Sequence, residues 1–165
     1  MTEDSCVGCD LGRRAFVRDA ALAAAALGAM GLFGERADAM PVRVIHALAA
    51  NGKEATYAIP AADGVNIDKK SDIILARVGR SLFAFDLSCP HQTTALRWNS
   101  SDKRFQCPKH KSQYSAEGVY IEGRATRSMD RHLIRRDCAN VIVDLDKVFE
   151  EDQDGALWKT ALVTV

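Results

Sequence analysis

The chain has 165 residues, 47% of them hydrophobic, and its 22 Lys and Arg are balanced by 22 Asp and Glu. That length suits one ordinary domain and is short for two. A formal charge of zero, with no dense basic run interleaved with aromatics, argues against nucleic acid as a partner.

Arg13, Arg14 and Arg18 precede an uncharged stretch of fourteen residues, Ala20 to Phe33. Spanning a bilayer takes roughly 18 to 20 apolar residues, so this stretch is too short. Ala37-Asp38-Ala39 then offers small residues two apart, as a cleavage site does. Residues 1–39 therefore read as an export signal ahead of a mature domain at 40–165, with membrane attachment only if the segment is kept as an anchor. A helix packed on the domain is the alternative. Gly12-Arg13-Arg14-Ala15-Phe16-Val17 resembles the twin-arginine export signal. Export of that kind carries folded proteins to the periplasm, which suits a domain that receives a metal centre first. Cys6 and Cys9 form a CxxC inside the signal, but Asp10 stands where a c-type haem site needs His, and the pair reads as incidental. Cys89, Cys107 and Cys138 remain, an odd number that speaks against a disulfide framework. Cys138 reads as a small buried or half-buried residue.

From Met40 onward, short runs with β-branched and aromatic content alternate with Gly, Asn, Asp and Pro, an all-β pattern. The expected strands are 42–46, 55–59, 73–78, 82–86, 104–107, 119–121, 133–137 and 141–145. Gly79-Arg80-Ser81 and Ala139-Asn140 carry the hairpin signals. Residues 146–160 mix Val148, Phe149, Leu157 and Trp158 with acidic side chains and read as a short helix or ordered tail on the sheets. The alternative is an acidic docking tail.

The chemistry concentrates in CPHQTTALRWNSSDKRFQCPKH, residues 89–110. Cys89 and His91 are two apart, Cys107 and His110 three apart, and a Pro follows each Cys, stiffening the loop and removing a donor. Each pair lies at a strand end, so two facing loops could grip one centre. Zinc would accept two Cys and two His, but finger spacing usually separates the Cys pair from the His pair. A [2Fe–2S] cluster of the kind with two Cys on one iron and two His on the other is met simply by a mixed pair in each loop.

These residues resemble the Rieske family in its CxH…CxxH motif. Cys107-Pro108-Lys109-His110-Lys111-Ser112-Gln113-Tyr114 is similar to the CPxHxSxY run of its high-potential members. The resemblance covers roughly Ile73 to Leu145. It implies an antiparallel β-sandwich with a small cluster-binding subdomain built from two loops. It further implies a [2Fe–2S] cluster with Cys89, His91, Cys107 and His110 as ligands, and Ser112 and Tyr114 as hydroxyl donors that raise its potential. The quinol-oxidising subunits of cytochrome bc complexes carry an extra Cys in each loop, joined in a disulfide; Thr94 and Lys109 hold those positions here. Their Pro-rich third loop would fall near Gly123-Arg124-Ala125, which has no Pro.

The expected function is one-electron transfer by a periplasmic carrier, or by the small subunit of an oxidoreductase similar to that of arsenite oxidase. The redox partner would be a cytochrome c or a larger oxidoreductase subunit. A divergent subunit of a cytochrome bc complex is the alternative, and a zinc-bound structural module is the alternative from another class. Lys109 and Lys111 flank His110 and would steer an acidic partner. His46 and His132 lack a ligand at metal spacing and read as structural.

Overall fold

The computed structural model describes residues 39–165; the signal segment, its paired arginines and Cys6 and Cys9 lie outside the described residues. The elements run β1 (Val42–Val44), β2 (Ala49–Ala50), β3 (Glu54–Ala58), β4 (Gly64–Asp68), β5 (Ile73–Val78), β6 (Ser81–Asp86), β7 (Arg97–Asn99), β8 (Arg104–Gln106), β9 (Gln113–Tyr114), β10 (Tyr120–Glu122), β11 (Arg131–Asp137), β12 (Asn140–Phe149), α1 (Gly155–Thr160) and β13 (Val163–Thr164). They form a larger sheet in the order β1-β4-β5-β6-β11-β12-β3-β2, with β13 on β6, and a small sheet β10-β9-β8-β7. Only β1 with β4 is parallel among these pairs. The expected all-β class is what the chain adopts.

Strand periodicity explains how one sheet serves two cores. Ile73 and Leu75 of β5, with Leu82 and Ala84 of β6, face Tyr57, Val141 and Val143. Ile74, Ala76, Phe83 and Phe85 face the other way, onto Phe105 and Tyr114 of the small sheet. The larger sheet curls because residues 42–50 serve both of its edges: the Ile45 amide donates to Ile67 O, and the Leu48 amide to Thr56 O. Between those two bonds the Ala47 amide donates to the Asp68 carboxylate. That turn ends β1 at Val44, short of the expected His46.

Asp68 is buried at 1% exposure. It also accepts from the Tyr57 hydroxyl at 3.0 Å and the Lys70 amide at 2.9 Å. Burial alone would raise its pKa, but these bonds hold the carboxyl below the usual carboxylate range, while burial pushes the Tyr57 hydroxyl up to about 12. A depressed native pKa stabilises the fold above the unfolded value of about 3.9, and that share is lost as pH falls through the native value. Asp68→Ala should therefore cost about 2–4 kcal/mol at neutral pH, because it strands a buried hydroxyl and two amides. It should also flatten the acid limb of stability; urea unfolding from pH 7 to 3 measures both.

Several boundaries differ from expectation for local reasons. The second hairpin turns at Cys138-Ala139, with Cys138 half-buried at φ 52 and Asn140 already paired to Asp137. β12 runs on to Phe149, across a register shift at His132/Leu133, so the helix within 146–160 is only α1. Trp158 of α1 is buried, with its indole N–H on Met129 O. The acidic residues nearby are partnered: Glu150 and Asp152 pair with Arg127, and Glu151 accepts from the Ser128 amide. His132 is buried, with Nδ1 3.1 Å from Asp144 O, and His46 is exposed beside Asp68.

Candidate metal centre

The first loop leaves β6 and is pinched by a bridge between Ser88 and Ala95, with the Cys89 amide on Thr94 O and the Leu96 amide on Leu87 O. The second joins β8 to β9 in a tight turn, where the Cys107 amide donates to Ser112 O and the Lys111 amide to Cys107 O. Thr93 and Lys111 take positive φ, 33° and 58°, the conformation that lets such short loops reverse. Both loops hang from strands whose inner faces lie in one core, so their tips meet.

Cys89 and Cys107 are each 1% exposed. The Tyr114 hydroxyl lies 3.3 Å from Cys89 Sγ and feels the charge of both thiols; burial first, then Cys89, raises its pKa well above the usual tyrosine range. His91 and His110 are half-buried, with ring centroids 4.8 Å apart and planes at 86°. In both rings it is Nδ1 that is buried without a hydrogen-bond partner. An orphaned buried polar atom costs about 1–3 kcal/mol, so two side by side mark a place where something else completes them. The pKa of His110 is lowered, by burial first and then by the charges of His91, Arg124 and Lys109.

Two buried thiols and two unpartnered imidazole nitrogens form the donor set of Rieske ligation. Among the described residues no three His, Cys, Asp or Glu side chains are placed to share one metal ion. A binuclear cluster with two protein donors per iron does not require that. A family model described as Rieske [2Fe-2S] domain matches residues 52–136. The chain belongs to this family. Its cofactor is a [2Fe–2S] cluster and its function is Rieske-type electron transfer.

Among curated relatives, the cytochrome b6-f complex iron-sulfur subunit of Synechococcus sp. (strain JA-2-3B'a(2-13)) is 31% identical over 103 residues, covering 62% of this chain and 58% of that protein. The subunit of the same name from Synechococcus elongatus (strain ATCC 33912 / PCC 7942 / FACHB-805) is 36% identical over 67 residues, 41% of this chain and 34% of its own length. That of Microcystis aeruginosa (strain NIES-843 / IAM M-2473) is 38% identical over 47 residues, 28% and 26% of the two chains. The Rieske chain thus spans less than two thirds of the curated relatives it matches. The solved plasma membrane Rieske protein PetC3 from Synechocystis PCC 6803 aligns at 22% identity with a TM-score of 0.42, covering 48% of this chain and 83% of that one.

One part of the site was not legible as a motif. Residues 118–129 form a third loop, closed at its base by the Met129 amide on Gly118 O. At its tip the Arg124 and Ala125 amides donate to Ser112 Oγ at 3.1 and 3.0 Å. Gly123 sits at φ 111, and a methyl group there would stand 2.3 Å from Ser112 Cα. The family resemblance placed a third loop near Gly123-Arg124-Ala125, and the lone Gly between Glu122 and Arg124 was the residue-level sign of its close approach.

Proposed function

We propose that Cys89 and Cys107 hold one iron of the cluster and His91 and His110, through Nδ1, the iron nearer solvent. The observation that carries this reading is the pair of buried, unpartnered Nδ1 atoms beside two buried thiols. The cluster supplies reversible one-electron chemistry when bound. Everything else falls to the chain. The two loops exclude water from the sulfurs, and the half-buried imidazoles form the short route to a partner. Tyr114 donates toward Cys89 Sγ. Ser112 Oγ accepts two amides, which leaves its single proton to be donated elsewhere. Donors of this kind stabilise the more negative reduced state and raise the potential.

The chain acts, in this reading, as a periplasmic carrier or the small subunit of an oxidoreductase, with residues 1–39 as its twin-arginine signal or anchor and 40–165 as the working domain. Among the described residues no helix is long and apolar enough to cross a membrane. A place in a quinol-oxidising complex is the second reading, favoured by the names of the relatives. Against it stands Thr94 and Lys109 at the positions of the second cysteine pair. None of Cys89, Cys107 and Cys138 is in a disulfide.

Electron paramagnetic resonance of the reduced protein, with iron and zinc analysis, tests the centre. A rhombic Rieske signal titrating with one electron is expected. A colourless zinc protein without a signal would end the electron-transfer reading.

Lys109, Lys111 and Arg124 are exposed around His110, and none of them forms an ion pair with a described residue. This cationic rim favours an acidic redox partner, a cytochrome c or a larger subunit. Neutralising Lys109 and Lys111 to Gln should slow oxidation by an acidic c-type cytochrome severalfold at low salt, with the difference vanishing at high salt. Equal rates at low salt would remove the rim from partner choice.

A further inference from the structure

We infer that Glu151, in the C-terminal segment, is a positioning residue for the Ser112 hydroxyl, acting through a hydrogen-bonded relay in the third loop. The inference rests on the reading of Ser112 given above. The relay is continuous. Glu151 Oε2 accepts the Ser128 amide at 2.8 Å, and Ser128 Oγ accepts the Tyr120 amide at 3.0 Å. The Tyr120 hydroxyl donates to Gly123 O at 2.9 Å, and Gly123 packs its Cα against the Ser112 backbone. The two residues after Gly123 then donate their amides to Ser112 Oγ.

The base of the loop is gripped from the same segment. Trp158 Nε1 donates to Met129 O at 2.8 Å. Arg127 meets Glu150 at 3.1 Å and Asp152 at 3.8 Å, and Asp130 at 3.0 Å from its own strand connection. Ser128 is 1% exposed, and its amide donates its hydrogen bond to the Glu151 carboxylate. Both lone pairs of Ser112 Oγ are taken by amides of this loop. The loop therefore sets where the remaining proton points, and a small shift at Ser128 reaches that proton through the Tyr120 hydroxyl and the loop backbone.

The test uses the full chain with its cluster, as wild type, Glu151→Ala, Glu151→Asp, Tyr120→Phe and the Glu151→Ala/Tyr120→Phe double variant. Asp68→Ala, which removes bonds to Ala47, Tyr57 and Lys70 and none to the third loop, is the control for plain destabilisation. Glu151→Ala is expected to shift the ratio of reduced to oxidised protein at a fixed potential about threefold toward oxidised, roughly 30 mV for a one-electron couple. Tyr120→Phe should shift it in the same direction, the double variant by less than the sum, and Glu151→Asp should restore part of the loss. Hydrogen exchange over 118–129 should speed up in Glu151→Ala and not in Asp68→Ala. A Glu151→Ala protein that loses melting temperature as Asp68→Ala does, yet keeps its potential, overturns the inference. Should the wild type itself hold no cluster, the reading of the centre fails. Unchanged exchange at Arg124 and Ala125 in Glu151→Ala would overturn the relay even then.

Discussion

Replacing any one of Cys89, Cys107, His91 or His110 by Ala should abolish the cluster: iron content falls to background, with loss of visible colour and of the reduced-state resonance. In the proposed ligation each loop supplies one thiol and one imidazole, so a single substitution leaves three donors for two irons, and no other described His or Cys stands in either loop to take over. The iron-free forms give a sharper check. Neither imidazole Nδ1 has a hydrogen bond to lose. Iron-free His110→Ala should therefore unfold within about 1 kcal/mol of iron-free wild type, since the lost packing is offset by removal of an unsatisfied buried nitrogen. The thiol variants should behave differently, because Cys89 and Cys107 are part of the hydrophobic core. Retention of iron with an unchanged resonance in any of the four would mean that another donor holds that iron.

The second large effect is expected at Gly123. Its φ of 111° belongs to glycine, and a Cβ would meet Ser112 Cα at 2.3 Å, Ser112 N at 2.8 Å and Lys111 O at 3.0 Å. All three are backbone atoms and cannot swing aside. Gly123→Ala should destabilise the fold by about 2–4 kcal/mol, from strain plus the forced separation of the second and third loops. The amides of Arg124 and Ala125 would leave Ser112 Oγ, and a donor worth about 1 kcal/mol to the reduced state corresponds to roughly 40 mV of lost potential. Chemical denaturation and potentiometry read the two effects separately. Wild-type stability and potential together would show that the third loop is not seated on Ser112 as described.

What could be read in advance followed from chemistry that repeats locally. The run Ile73 to Val78 carries enough β-branched residues to mark a strand, and its bounds agree with β5. β4 went unread because Asp63-Gly64 and Asp68-Lys69-Lys70 look like turns, although Val65 is fully buried and Asp68 nearly so. The polar Asp68 belongs inside only because Tyr57 and two amides wait for it, and those partners are distant in sequence. At the site, the Cys-Pro-His and Cys-Pro-x-His segments declared themselves by composition and spacing. The third loop was placed near Gly123-Arg124-Ala125 only by resemblance, and its hold on Ser112 went unread, because that is made by backbone amides that any residue could supply. Arg131 shows the same limit. It is buried against the Trp158 ring at 3.6 Å with its guanidinium on Trp158 O and Glu117 O, and burial lowers its pKa to about 10. Nothing in His132-Leu133-Ile134 announces that its neighbour is an interior cation.

The third loop is fastened by ion pairs, an indole and amide hydrogen bonds, and no cystine fastens any described part of the domain. In the proposed site Cys89 and Cys107 then have no second cysteine pair nearby to mispair with while the cluster is inserted. Dithiothreitol should be harmless to the finished protein, whereas an oxidant that joined Cys89 to Cys107 before loading would close the site to the metal for good.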